Sequence, residues 1–148
     1  MAKEERHAVK KGWCMDLYRD RFELKVVDNT LFFNVDGAMD EGLLKAIFNK
    51  VLYLIENELT EPWASVMDLT QWGLYTPEAE VDLIKFQHWA YKKGQRAEVC
   101  IVAGNSFKEG IRKKMYAQQD LKVEHIFVDT VEEGKDWLVA QGYLKSID

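Results

Sequence analysis

Between residues 22 and 59 the apolar side chains change period, and this switch restricts the fold more tightly than anything else in the chain. Phe22, Leu24 and Val26 alternate with Glu23 and Lys25, and Leu31, Phe33 and Val35 repeat the pattern. That is the two-residue period of strands with one buried face. Asp28-Asn29 lies between them as a two-residue turn signal, so the two segments are expected to form an antiparallel hairpin. After Asp36-Gly37 the period lengthens. Leu43, Ile47, Val51 and Leu54 recur at helical spacing, with Leu44, Phe48, Leu52 and Ile55 widening the stripe. So broad an apolar face implies a helix, from Asp40 to about Leu59, lying flat against a sheet.

The remaining segments extend this α/β pattern. Pro62 ends the connection, and Trp63 to Leu69 is small and apolar, as expected of a strand buried on both faces. Thr76-Pro77 is a helix start, with Thr as N-cap, Pro at the first helical position and Glu78 and Glu80 near the positive end of the dipole. Lys92-Lys93-Gly94 is the matching stop. Residues 99–103 form a short β-branched strand and Ile126-Phe127-Val128 a fifth one, each followed by a sequence of capping-box form, Ser106 to Glu109 and Thr130 to Glu133. The order ββαβαβαβα predicts a mixed, mostly parallel five-stranded sheet: an N-terminal antiparallel hairpin, then βαβ crossovers, covered by helices.

The chain has 148 residues, enough for one domain with a sizeable core, and its 47% apolar and 30% charged residues are ordinary for a globular protein. Residues 1–12 carry seven ionisable side chains and read as a flexible arm, leaving residues 13–148 as a single domain. Net charge is −5, with Lys and Arg scattered among acids, which argues against nucleic acid as a partner. The N-terminus has no apolar core of signal-peptide type, and no apolar run approaches a membrane span. Cys14 and Cys100 are far apart, with no CxxC pair or metal spacing. A soluble protein of a reducing cytoplasm is expected.

Phe32-Asn34-Val35-Asp36-Gly37 before the first helix, Trp63 to Thr70 before the second and Val99 to Asn105 before the third carry a family likeness. Over about residues 20–142 the chain resembles the small bacterial SpoIIAA-like proteins of the STAS-domain superfamily. The resemblance implies the fold above and a regulatory, protein-binding role rather than catalysis. In the anti-sigma-factor antagonists of that superfamily a partner kinase phosphorylates a hydroxyl in the loop after the second of these strands. The corresponding region here reads Tyr75-Thr76-Pro77-Glu78, with proline where the phosphorylatable serine is expected.

The loops 36–40, 71–76 and 104–106 are expected to meet at one sheet edge, where open α/β sheets bind ligands. Trp72, Leu74 and Tyr75 place apolar and aromatic side chains there as candidate partner-binding residues, or Trp72 folds back to close the core. Asn105 and Ser106 stand at a helix N-terminus that can receive an anion, although capping by Ser106 explains them more simply. Asp36, Asp40 and Asp68 are expected as turn and cap residues rather than a Mg²⁺ site. His7, His88 and His125 fall on the arm, a helix and a strand without a metal or triad motif, and Cys100 reads as a small core residue. Trp89 projects from the Ala79, Leu83, Phe86, Ala90 stripe of its helix, either towards a partner such as a second copy of the chain or under residues 13–20 with Trp13, Leu17 and Tyr18. No catalytic residue, metal or cofactor is expected. The resulting expectation is a non-catalytic binding or regulatory module, with self-association through a helix face as an accompanying option. The alternative is a carrier of a small apolar or lipid-like ligand, since SEC14-type domains share a similar layout.

Overall fold

In the computed structural model of the protein, residues 21–117 and 119–146 are described, apart from the side chain of Leu74. The expected arm 1–12 and the segment 13–20, with His7, Trp13, Cys14, Leu17 and Tyr18, lie outside them.

β1 (Phe22–Val27) and β2 (Thr30–Val35) form the expected hairpin, with Val27 opposite Thr30. Asp28 turns the corner at φ 54°, a left-handed conformation that Asp tolerates. The Asn29 amide closes the turn against a remote segment. It donates to the Thr60 and Pro62 carbonyls at 2.7 and 2.6 Å and accepts from the Thr60 N–H at 3.0 Å.

The chain continues through β3 (Gly37–Met39), α1 (Glu41–Asn57), β4 (Trp63–Asp68), β5 (Trp72–Tyr75) and α2 (Pro77–Lys92). It ends with β6 (Gln95–Ile101), α3 (Ser106–Ala117), β7 (Glu124–Val128) and α4 (Val131–Gln141). The main sheet has the order β1-β2-β4-β6-β7, with only the β1–β2 pair antiparallel. This is the mixed, mostly parallel five-stranded sheet that the period switch predicts.

Alternation sorts the strands between two layers. Leu31, Phe33, Cys100 and Val102 face one core with the stripes of α1 and α2 and Met115 of α3. Ala64, Val66, Ala97, Val99 and Ile101 face the other, against Leu138 of α4. Gly134 lets α4 lie close, since a Cβ there would stand 2.8 Å from Val99 Cγ1. Thr130 and Glu133 form the predicted capping box.

Three local expectations need correction. Segments 36–40 and 71–76 are not simply loops, because β3 and β5 pair in parallel as a separate two-stranded sheet. The strand expected over 99–103 begins at Gln95 and ends at Ile101, the polar Gln95 and Glu98 lying inside it. Ser106 does not cap α3. The Asn105 carboxamide oxygen accepts from the Phe107 and Lys108 N–H groups, both at 3.1 Å, and Ser106 is exposed as the first helical residue.

Candidate binding edge

The parallel strands β2, β4 and β6 end together, and the β3–β5 pair forms a rim above them. Gly73 permits this pairing: a Cβ there would stand 2.9 Å from the Gly37 carbonyl carbon. The Gly37 N–H donates to the Gln71 carbonyl at 2.8 Å. Arg21 ties the chain leading into β1 to the same rim, its Nε donating to the Asp36 carbonyl at 2.7 Å and its Nη2 to the Ala38 carbonyl.

Trp72 is only 5% exposed, and its indole N–H is directed at the Met39 sulfur. Its ring stacks on half-buried Tyr75, with centroids 5.6 Å apart. Burial, reinforced by Glu80, raises the Tyr75 pKa. The closing role weighed for Trp72 is therefore the one the fold uses, and the ring is not available to a partner at this surface. Leu74 belongs to β5 by its backbone.

Several polar side chains around this edge bond nearby backbone groups. Asp40 caps α1 by accepting from the Leu43 N–H at 2.9 Å, and Thr76 caps α2 by accepting from the Ala79 N–H at 3.0 Å. Asp68 accepts from the Thr70 N–H at 2.9 Å and hydroxyl at 2.6 Å. Asp129 accepts from the Gly104 N–H at 2.7 Å, holding a turn in which Ala103 and Gly104 both have positive φ. Lys108 donates from Nζ to the Leu69 carbonyl at 2.6 Å. What the edge does present is Phe107, 66% exposed in the first turn of α3. The sequence reading missed Phe107, which lay inside a capping pattern. Phe107 stands four residues before Ile111 and eight before Met115, on the same helical stripe, so the sequence carried no signal that it is exposed.

Beneath the edge lies a second feature absent from the sequence reading. Glu98 of β6 and Arg112 of α3 are each 2% exposed and form a bidentate pair, Arg112 Nη2 donating to the two carboxylate oxygens at 2.9 and 3.1 Å. The Tyr116 hydroxyl also donates to Glu98, and its ring stacks on His125 at 4.2 Å. Although burial opposes the Arg112 charge, adjacent Glu98 holds it protonated. A cavity of about 40 Å³ beside the pair is lined by Gln87, Gln95 and Ser65 among apolar groups. Gln87 Nε2 and Arg112 Nε have no hydrogen-bond partner among the described residues. The cluster ties α3 to the sheet through buried side chains.

Burial raises the Cys100 thiol well above its ordinary value of 9.0 and, with Glu98, the Tyr116 hydroxyl above 10.0. Cys100 is accordingly an unreactive thiol at neutral pH. Both groups keep their protons in the folded protein where the unfolded chain has lost them. Their contribution to stability is complete below pH 9 and falls as pH rises towards the folded values. We expect stability to drop above pH 9 by about 1.4 kcal/mol per pH unit for each group titrating only in the unfolded chain. Urea melts from pH 8 to 11 measure this, and Cys100→Ala should flatten the part of the fall that starts near pH 9.

Trp89 lies near the C-terminal end of α2. It packs on Phe48 with ring centroids 4.6 Å apart and on Phe86 at 5.9 Å. These rings and Leu44 line an open groove of about 540 Å³ between α1 and α2, rimmed by Glu41, Lys45, Asp82 and Lys85. His88 is exposed on the same helix. The structure thus separates the candidate residues: Trp72, Tyr75, Asn105 and Ser106 fall at the edge, and Trp89 in a helix groove.

No protein-family model matches the chain, and no curated protein does either. Solved structures do. An uncharacterised DUF3478-family protein with a SpoIIAA-like fold from Shewanella loihica PV-4 superposes with a TM-score of 0.64 at 15% identity, over 79% of this chain and 91% of the other. The anti-sigma factor antagonist SpoIIAA in its unphosphorylated form gives 0.54 at 15% identity, over 82% and 98%. The Bacillus cell fate determinant SpoIIAA in its phosphorylated form gives 0.52 at 13%, over 79% and 98%. The chain has a SpoIIAA-like fold. Among the described residues no helix is long and apolar enough to cross a membrane.

Proposed function

We propose that this SpoIIAA-like domain is a non-catalytic binding module of a reducing cytoplasm, engaging a protein partner at the edge formed by the β3–β5 rim and the start of α3. One observation carries the reading. Phe107 is 66% exposed, whereas Asp40, Asp68, Asn105 and Asp129 are committed to backbone N–H groups of the same edge. A surface with its acids and amide used internally and an aromatic ring left in water is suited to apolar recognition rather than to proton transfer. The similarity to an anti-sigma factor antagonist supports a protein as the ligand class. The rival, a carrier of a small apolar ligand, gains less support. Its best site would be the α1–α2 groove of about 540 Å³, within the roughly 300–1,000 Å³ of ordinary ligand sites but open along one side rather than enclosing a ligand.

Phe107→Glu tests the proposal because the side chain is solvated and its loss costs the fold little. Stability should stay within about 0.5 kcal/mol of wild type. Capture of the protein's partner from a lysate of its own organism should fall by about tenfold or more. Equal capture by wild type and variant would remove the edge from consideration.

A further inference from the structure

Among the described residues, the groove between α1 and α2 stays open along one side over a floor of Phe48, Phe86 and Trp89, and the edge proposed for partner binding makes no use of it. We infer that a second copy of this chain docks there. The two α2 helices cross a two-fold axis antiparallel to one another, and Val81 of each copy enters the groove of the other.

Three observations converge. The first is a ridge beside the groove. Val81 is 53% exposed, and helical geometry turns it roughly 160° from the stripe of Ala79, Leu83, Gln87 and Ala90 that α2 buries. An apolar side chain thus stands on the outer crest of a helix that also forms one wall of an apolar groove. The second is spacing. A two-fold axis crossing α2 midway between Asp82 and Lys85 brings Val81 of one copy level with Phe86 of the other, on the groove floor and less than one turn from Trp89. The third is charge. The same axis sets Asp82 of each copy against Lys85 of the other, giving two opposite-sign pairs from one patch. Neither residue is in an ion pair among the described residues, so both are free to make these. A two-fold contact requires a patch that complements itself, and a rim carrying one acid and one base a turn apart on α2 does so. A partner of uniform charge would meet like charges on the same rim, which selects the second copy over it. Phe107 and the β3–β5 rim take no part in the contact.

Charge reversal in the full-length chain tests both the contact and its register. Sedimentation velocity across a dilution series gives the dimer dissociation constant of each form. Asp82→Lys alone faces Lys with Lys, and Lys85→Asp alone faces Asp with Asp, so each should weaken the dimer about tenfold or more. The double variant Asp82→Lys with Lys85→Asp restores opposite signs across the axis and should return the constant to within a few-fold of wild type. Val81→Glu should also weaken the dimer about tenfold or more, because it drives a carboxylate onto the aromatic floor. All three positions lie at the surface of α2, and thermal melts confirm that each variant is folded. A wild type that stays monomeric at about 100 μM would overturn the inference. So would a dimer indifferent to Val81→Glu, which would place the contact on another face. A double variant as weak as the single ones would overturn the antiparallel register.

Discussion

Arg112→Met is expected to destabilise the fold by about 3–5 kcal/mol, because it leaves the Glu98 carboxylate buried without its cation. Glu98 is 2% exposed and has two oxygens to satisfy. After the substitution the Tyr116 hydroxyl remains as a donor to one of them. The loss is a large share of the roughly 5–15 kcal/mol by which a domain is ordinarily stable. It should lower the melting temperature by about 10 °C and move the urea midpoint at constant slope. The double variant Glu98→Leu with Arg112→Met separates two explanations. If the cost is that of an unpaired charge, removing both charges should leave a deficit well below that of Arg112→Met alone, set mainly by the Tyr116 hydroxyl losing its acceptor at about 1–3 kcal/mol. If Arg112 acts mainly through the packing of its stem, the double variant will be at least as unstable as the single. A single variant within 1 kcal/mol of wild type would show that the pair does not hold α3 in place.

The hairpin, the long helix and the crossovers were legible because each is written in a local period. Leu24 to Phe33 needs only a two-residue alternation and a turn, and Leu43 to Leu54 only a helical stripe. Thr130 to Glu133 could likewise be read as a capping box because its partners lie within one turn. The features that were not legible depend on distant partners. Gly37–Met39 and Trp72–Tyr75 are three and four residues long and contain glycine. Trp72 and Tyr75 favour strands, but runs this short and broken by glycine do not read as strands, and each is made one by pairing across more than thirty positions. Glu98 carried a signal that went unread. It shares a strand face with Cys100 and Val102, so a carboxylate there required a buried cation, and Arg112 provides it. At Ser106 two residues could cap the same helix, and the structure uses Asn105, whose carboxamide reaches two backbone N–H groups. The tryptophans show the same limit. An indole in a glycine-containing segment is equally consistent with a partner anchor and a core plug until its neighbours in space are known.

Trp72→Ala is expected to cost about 3–5 kcal/mol, the range for removing a buried aromatic side chain. The loss has a specific location. Trp72 is part of the main core cluster and touches Met39 and Tyr75 of its own rim, so its removal hollows the β3–β5 pair where it meets the core. Hydrogen exchange should therefore show the backbone amides of Gly37 and Trp72 losing protection before those of β4 and β6. Trp72→Phe should be milder, at about 1–2 kcal/mol, since it keeps most of the apolar area and gives up an N–H whose acceptor is only a thioether sulfur. This contrast distinguishes support of the edge from contact with a partner. Trp72→Phe, measured where it is fully folded, should capture the partner as wild type does, whereas Phe107→Glu, with near-native stability, should not. If folded Trp72→Phe loses capture, the indole touches the partner, and the rim must open on binding to expose it.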